Sequence, residues 1–184
     1  MKRWTAVSCL VITVVSMVVT AAEPVPGREF EATAKVKTRQ GSRTMTFTLL
    51  ASRYTSLDDA SHLAELLAAG GQGAVLSSLK GRNDGILRLG VLEVPISLAI
   101  AQPVAEGYRY IFVTARRIRV EEVNEGAESL DYPFGVAVFE LGDFGRGEGQ
   151  IYPAAALRIG DEGYVEVEQY EIDPGRLADV KRIR

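Results

Sequence analysis

The most persistent signal along the chain is an alternation of apolar and polar residues with a period of two, the mark of strands with one dry and one wet face. From Arg28 to Lys37, Phe30, Ala32, Ala34 and Val36 share one side, and Glu29, Glu31, Thr33, Lys35 and Lys37 share the other. A turn is predicted at Arg39-Gln40-Gly41-Ser42. Beyond it Met45, Phe47, Leu49 and Ala51 face away from Thr44, Thr46 and Thr48. Sheets with one wet face are usually antiparallel, so these two segments should form a hairpin.

The period then becomes helical. Ser56 is a good N-cap, Asp58 and Asp59 fall where the helix dipole favours acids, and Leu57, Ala60, Leu63, Leu66 and Leu67 recur at helical spacing. Gly70-Gly71 should end that helix. A second, from Gly73 to Lys80, carries Val75, Leu76 and Leu79 before Gly81. Residues 56–81 are thus predicted to be a two-helix insertion after the second strand.

Strands resume at Ile86–Leu89 and Leu92–Ala101, and a turn at Ala105-Glu106-Gly107 leads into a long strand, Tyr108–Val120. Its first half is apolar on both faces, with Tyr108, Tyr110 and Phe112 on one and Ile111 and Val113 on the other. Phe134–Leu141, Gln150–Ile159 and Tyr164–Ile172 follow, joined by turns rich in Gly and Asp. The tail from Pro174 reads as a short edge strand around Leu177–Ile183 or as a frayed end. Pro95 and Pro153 should mark edges or bulges, since each removes a ladder donor. Together these segments predict a mainly β (α+β) fold of about eight strands. Short turns make neighbours in sequence neighbours in the sheet, which suggests a curved antiparallel meander or a barrel-like sheet.

The first 22 residues change the picture. Lys2 and Arg3 precede an apolar stretch of roughly 16 residues, short of the ~20 that span a bilayer, and Thr20-Ala21-Ala22 offers the small side chains a signal peptidase needs. Residues 1–22 are therefore expected to be a cleaved signal peptide and residues 23–184 one β-rich domain, exported to the periplasm or beyond the cell. Cys9, the single cysteine, lies within the predicted signal, so no disulfide is expected in the remainder. Cleavage also takes two positive charges from a chain whose net charge is −3. An acidic balance argues against nucleic acid or an anionic membrane as partner. No later segment is apolar for long enough to span a membrane as a helix.

Chemistry-bearing patterns are sparse. His62, the single histidine, should point to solvent from the first helix, and it lacks the partners of a metal site or a triad. Gly70-Gly71-Gln72-Gly73 follows a helix rather than a strand, so it reads as a corner and not a phosphate loop. Arg116, Arg117 and Arg119 precede Glu121, Glu122, Glu125, Glu128 and Asp131, an arrangement that favours mutual neutralisation. No catalytic residue, metal ligand or cofactor motif is assigned. Asp131-Tyr132-Pro133-Phe134-Gly135 should form a defined chain reversal, with a cis bond before Pro133 as one option. Inward positions mix small residues (Ala32, Ala34, Ala51, Ala155) with large ones. This implies either room for a helix to approach the sheet, the favoured reading, or a ligand cavity with tyrosines orienting an apolar guest.

Asp131-Tyr132-Pro133-Phe134-Gly135, Gly147-Glu148-Gly149 and Ala154-Ala155-Ala156-Leu157-Arg158-Ile159, with the Tyr54-Thr55-Ser56 helix entry, resemble a family of exported bacterial proteins of unknown function. The resemblance implies an exported single domain and no activity. The expected function is a non-enzymatic exported binding domain for a small apolar ligand, with Tyr108, Tyr110, Phe112, Tyr132 and Phe134 as ligand-binding candidates. The alternatives are interaction with another envelope protein and a metal-independent hydrolase using paired carboxylates.

Overall fold

In the computed structural model, which describes residues 27–38, 41–118, 131–159, 165–169 and 173–183, the first two alternating segments are β1 (Arg28–Thr38) and β2 (Gly41–Ala51). They pair antiparallel from Arg28↔Ala51 to Thr38↔Gly41. The predicted dry face of β1 is buried, as are Phe47, Leu49 and Ala51 of β2. Eight further strands follow: β3 (Gly85–Leu89), β4 (Leu92–Ile96), β5 (Leu98–Val104), β6 (Gly107–Thr114), β7 (Phe134–Leu141), β8 (Arg146–Ile159), β9 (Val165–Gln169) and β10 (Gly175–Arg182). They form a nearly closed, barrel-like antiparallel sheet in the order β4-β3-β2-β1-β10-β8-β7-β6-β5, with β9 beside the far half of β8.

Three expectations change. The single strand predicted over Leu92–Ala101 is divided at Ser97 into β4 and β5, which lie at opposite ends of the sheet. The Ser97 N–H donates to the Val113 carbonyl at 2.8 Å, tying the corner between them to β6 and drawing the two ends together. The tail is neither edge nor frayed: β10 lies between β1 and β8 and bonds to both. Its pattern hid this because the register shifts between Leu177 and Val180 against β8, and the same stretch shifts against β1. Leu177 and Val180 are both fully buried although three residues apart, and Asp179 between them takes a positive φ of 54°. A bulge is what allows this spacing inside a strand. The connectivity is accordingly not a simple meander.

Pro95 and Pro103 lie on the end strands β4 and β5, where a missing N–H is tolerated. Pro153 lies on the inner strand β8, where the pairing with β7 slips between Phe134↔Ala155 and Val136↔Tyr152, so it sits in a bulge. Opposite that slip is Gly135. A Cβ there would meet Ile118 Cγ1 at 2.4 Å and Thr114 Oγ1 at 2.7 Å, so a glycine lets the 115–118 segment close over β7. The bond from Ile118 N–H to the Pro153 carbonyl, 3.0 Å, locks that segment down.

The inside of the barrel is packed solid where Phe30, Phe47, Phe112 and Phe139 meet Leu49, Leu87, Ile96, Ile151, Leu177 and Val180. The helical insertion lies outside it. One helical element, α1 (Leu57–Leu79), replaces the predicted pair, with a kink at Gly71 (φ 64°, ψ −159°) where the corner was expected. Ser56 caps its start as predicted, its Oγ accepting from the Asp59 N–H at 3.1 Å. Leu63, Leu66, Leu67, Val75, Leu76 and Leu79 pack on the outer face of the β5–β8 wall against Leu98, Ile111, Val113, Phe134, Val136, Ala155 and Leu157. This second layer explains why β6 is apolar on both faces. It also divides the small residues. Ala155 lies under the helix, whereas Ala32, Ala34 and Ala51 make room inside for phenylalanine rings.

Just past the kink, Gln72 grips the β8 backbone. Its Nε2 donates to the Leu157 carbonyl at 2.7 Å and its Oε1 accepts from the Leu157 N–H at 3.0 Å. A primary amide presents an N–H donor and a C=O acceptor side by side, so it pairs with this stretch of strand as another strand would. Gln72→Ala strands both groups beneath the helix and should cost about 1–3 kcal/mol in urea unfolding; an unchanged midpoint would show that the clamp contributes nothing. Truncation after Asp173 deletes β10 and should abolish the cooperative thermal transition and near-ultraviolet dichroism, because the remaining strands form two unconnected sheets.

Candidate functional site

Tyr108, Tyr110 and Phe112 all face the barrel interior from β6, as their spacing predicts. Tyr110 and Phe112 are stacked with centroids 6.3 Å apart and planes 3° apart, and both are buried. Phe112 is enclosed by Phe30 and Phe139, 5.9 and 5.5 Å away, and so belongs to the core. Tyr110 is shallower, and Tyr108 lies half-buried at the end of the same wall.

The other two candidates are elsewhere. Phe134 faces outward into the layer beneath α1. Tyr132 bonds through its hydroxyl to Glu168 of β9 at 3.3 Å, and its carbonyl accepts from Arg117 Nε at 2.9 Å. Partial burial and the Glu168 carboxylate push the Tyr132 phenol above its ordinary pKa. The structure therefore does not unite the five residues: β6 contributes an inner row, while the β7 entry points to the opposite side of the wall. The peptide bond before Pro133 is trans.

A residue that the alternation could not reveal completes the inner row. After β2, residues 52–56 cross the end of the barrel to β5. There the Thr55 N–H donates to the Ala99 carbonyl at 2.7 Å, and Thr55 Oγ1 accepts from the Ala99 N–H at 3.3 Å. This crossing carries Tyr54 against Tyr110, with ring centroids 6.2 Å apart, while Tyr108 lies 6.1 Å from Tyr110 on its other side. Tyr54, Tyr108 and Tyr110 thus form an aromatic patch at one end of the barrel, above Phe30, whose ring is 5.0 Å from that of Tyr110. The Tyr54 hydroxyl is buried without a hydrogen-bond partner among the described residues. Burial pushes the Tyr54 and Tyr110 phenols up in pKa, and Arg28 and Arg182 oppose that shift at both. Tyr54 lies in no periodic segment, and only its place in the Tyr54-Thr55-Ser56 entry to the helix singled it out.

Other groups account for themselves structurally. Asp84, fully buried, receives Arg53 through Nε at 3.0 Å and through a second, shorter bond from Nη2, and Arg82 Nη2 at 3.2 Å. Its backbone joins Ser52, Arg53 and Ile96, so it clamps the end of β2 to the β3–β4 pair. Asp84 holds the Arg53 guanidinium above its ordinary pKa. Glu140 and Glu148 stand directly opposite each other across β7 and β8, a carboxylate pair of the kind a hydrolase needs. Both are exposed, and they are held by Arg109 at 2.7 Å and Arg176 at 2.8 Å respectively. They border a shallow trough of about 520 Å³ on the outer wall. An apolar crevice of about 30 Å³ beneath α1, between Leu63, Leu67, Leu98 and Ile100, has room for about one water molecule.

His62 is exposed on α1, as predicted. Among the described residues, no group of three or more His, Cys, Asp or Glu is placed to hold a metal ion. Of the arginine and acidic series, Arg119 and residues 121–128 lie outside the described residues, as does the predicted signal segment; Arg116 Nη2 donates to the Glu93 carbonyl at 3.0 Å. No protein family, curated protein or solved structure matches the chain, so the site rests on its own geometry.

Asp84→Ala should destabilise the protein by about 3 kcal/mol in denaturant titration. This is the low end for a broken buried pair, since Arg53 keeps access to water; a loss below about 1 kcal/mol would remove the clamp from the account. The raised tyrosine pKa values fix a sign in alkali. The folded state holds these protons more tightly than the unfolded one, so stability is complete below the ordinary value of 10.0 and falls as pH rises above it. Tyr54→Phe should flatten the decline of urea midpoints between about pH 9 and 12. An unaltered slope would show that Tyr54 does not titrate late.

Proposed function

We propose that the chain is an exported, non-enzymatic binding domain that takes a small, largely apolar molecule at the end of its barrel, on the patch formed by Tyr54, Tyr108 and Tyr110. One observation carries this reading: the filled interior ends in three adjoining tyrosines rather than in aliphatic side chains. Tyrosine combines a broad apolar ring with a hydroxyl that orients a guest, the usual makeup of ligand contacts. Phe30, Phe112 and Phe139 behind the patch give it a rigid floor, so little ordering is required on binding. The guest is thus assigned to the rim and not to the middle of the barrel.

The outer wall supports a water-surrounded protein rather than a membrane barrel. Its outward positions carry cross-strand pairs such as Arg88–Glu93, Arg109–Glu140 and Lys181–Glu31, the reverse of a lipid-facing surface. A carboxylate hydrolase gains least support, because Glu140 and Glu148 are exposed and neutralised, and buried Asp84 is saturated by arginines. The second reading, a protein partner, is favoured by Phe144. This residue is 96% exposed at the tip of the β7–β8 turn, where an isolated ring serves no packing purpose.

Native mass spectrometry of the protein purified from its own host tests the choice. A small added mass lost on collisional activation, and absent from Tyr54→Ala/Tyr108→Ala protein, is expected. A clean apo mass under gentle conditions would overturn the ligand reading and leave the Phe144 surface as the better hypothesis.

A further inference from the structure

We propose that the rim of the barrel binds an anion: Arg28 and Arg182, from neighbouring strands, grip one carboxylate or phosphate group of a ligand whose apolar body lies on the tyrosine patch. This rests on the ligand reading above and adds the chemical class of the guest.

Strand alternation supplies the placement. Arg28 lies two residues before Phe30 on β1, and Arg182 stands directly opposite Phe30 on β10. Phe30 is fully buried inside the barrel, and so is Val180, two residues before Arg182. Both arginines therefore belong to the inward-facing rows of their strands, at the end where those rows reach water. Along β1 the rest of that row is Phe30, Ala32, Ala34 and Val36, so Arg28 is a charge set at the edge of an apolar lining. Arg28 and Arg182 stand in the diagonal cross-strand relation, for which Cβ atoms lie about 7–8 Å apart. Each guanidinium is a planar fork suited to an oxyanion, and that of Arg182 lies over Gly145 of the β7–β8 turn at the same end.

Charge accounting singles them out further. Arg53, Arg82, Arg88, Arg109, Arg158 and Arg176 each have a carboxylate partner. Arg28 and Arg182 have no ion pair among the described residues; Arg116 and Arg146 have none there either, but Arg116 is engaged by the Glu93 carbonyl and Arg146 stands on the outward row opposite Lys181. Both rim arginines act electrostatically on the hydroxyls of Tyr54 and Tyr110. The Tyr54 hydroxyl, buried beside the two cations, has no hydrogen-bond partner among the described residues. Half-buried Arg28 is already partly withdrawn from water, so part of its desolvation cost is met by the fold rather than by binding.

The test is an amide-resolved NMR titration of the full protein with three probes of one shape: 2-naphthoate, 2-naphthyl phosphate and neutral 2-naphthamide. One anion or both should bind roughly tenfold or more tightly than the amide. The shifts should centre on Arg28, Tyr54, Tyr110 and Arg182, and affinity should fall as sodium chloride is raised. The tighter anion would identify the carboxylate or phosphate class. Arg28→Gln/Arg182→Gln should remove the preference while retaining amide binding, with a thermal midpoint confirming the fold. Equal affinity for all three probes at the patch would overturn the anion inference and leave the ligand reading intact. Anion binding centred elsewhere, or no binding of any probe, would overturn the inference as well, while the native mass measurement decides the ligand reading separately. The comparison of charged and neutral probes on unaltered protein needs no variant, so misfolding cannot obscure it.

Discussion

Everything in this fold depends on where β10 is seated. Strands β1 to β4 form one run of neighbours and β5 to β8 another, and the chain between these runs, through Ser97, supplies a corner but no ladder. Only the last strand, bonded to β1 on one side and β8 on the other, makes them one sheet. The contact is the least local in the molecule, joining the first described strand to the last, so its loop-closure entropy must be met before any reward arrives. The reward is the interior: Leu177 and Val180 complete the lining around Phe30 and Ile151, and the phenylalanine cluster is sealed from water.

A second consequence is a wall with two dry faces. Closing the sheet buries one side of β5–β8 inside the barrel, and α1 buries the other from outside. Most of the barrel has only one dry face and keeps its outer charges in cross-strand pairs, which on an exposed surface contribute little to stability but much to solubility. Helix and barrel are fastened by apolar packing and by one polar clamp, Gln72 on Leu157. That clamp must lie just after the kink at Gly71, the one residue type that tolerates the required backbone there.

The same architecture accounts for the position of the candidate site. Phenylalanine rings fill much of the barrel interior among the described residues, and the tyrosines of the candidate site lie at one end of it. At that end the crossing 52–56 segment lays Tyr54 over the core, and the inward rows of β1 and β10 finish in arginine. A rigid aromatic floor, three hydroxyls and two cations with no carboxylate partner among the described residues come from four separate parts of the chain. None of these parts is noteworthy alone. Asp84 stabilises the assembly from beneath, pinning the residues on either side of the crossing.

How much of this was legible depends on whether a pattern was local. Period-two alternation identified β1 and β3 nearly to their ends and β2 from Thr44 on, although β2 begins at Gly41 inside the predicted turn; the strand Phe134–Leu141 was read at its observed bounds, and the Ser56 cap with its following acids located the start of α1. The mix of small and large inward residues favoured a helix approaching the sheet, which Ala155 beneath α1 matches. These are properties of neighbouring residues and survive without knowledge of the partner. Tertiary structure alone decided the rest. The break at Ser97 leaves the alternation of Leu92–Ala101 intact, so no sequence pattern marks that β4 and β5 part company. The bulge at Asp179 disrupted the alternation that would have declared β10 an inner strand. Which side of the wall receives the helix could not follow from two equally apolar faces. Arg28 and Arg182 likewise escaped notice, because they join Tyr54 and Tyr110 only once the first and last strands pair. A charge at the end of an alternating row looks like any surface arginine until the barrel closes and turns that row inward.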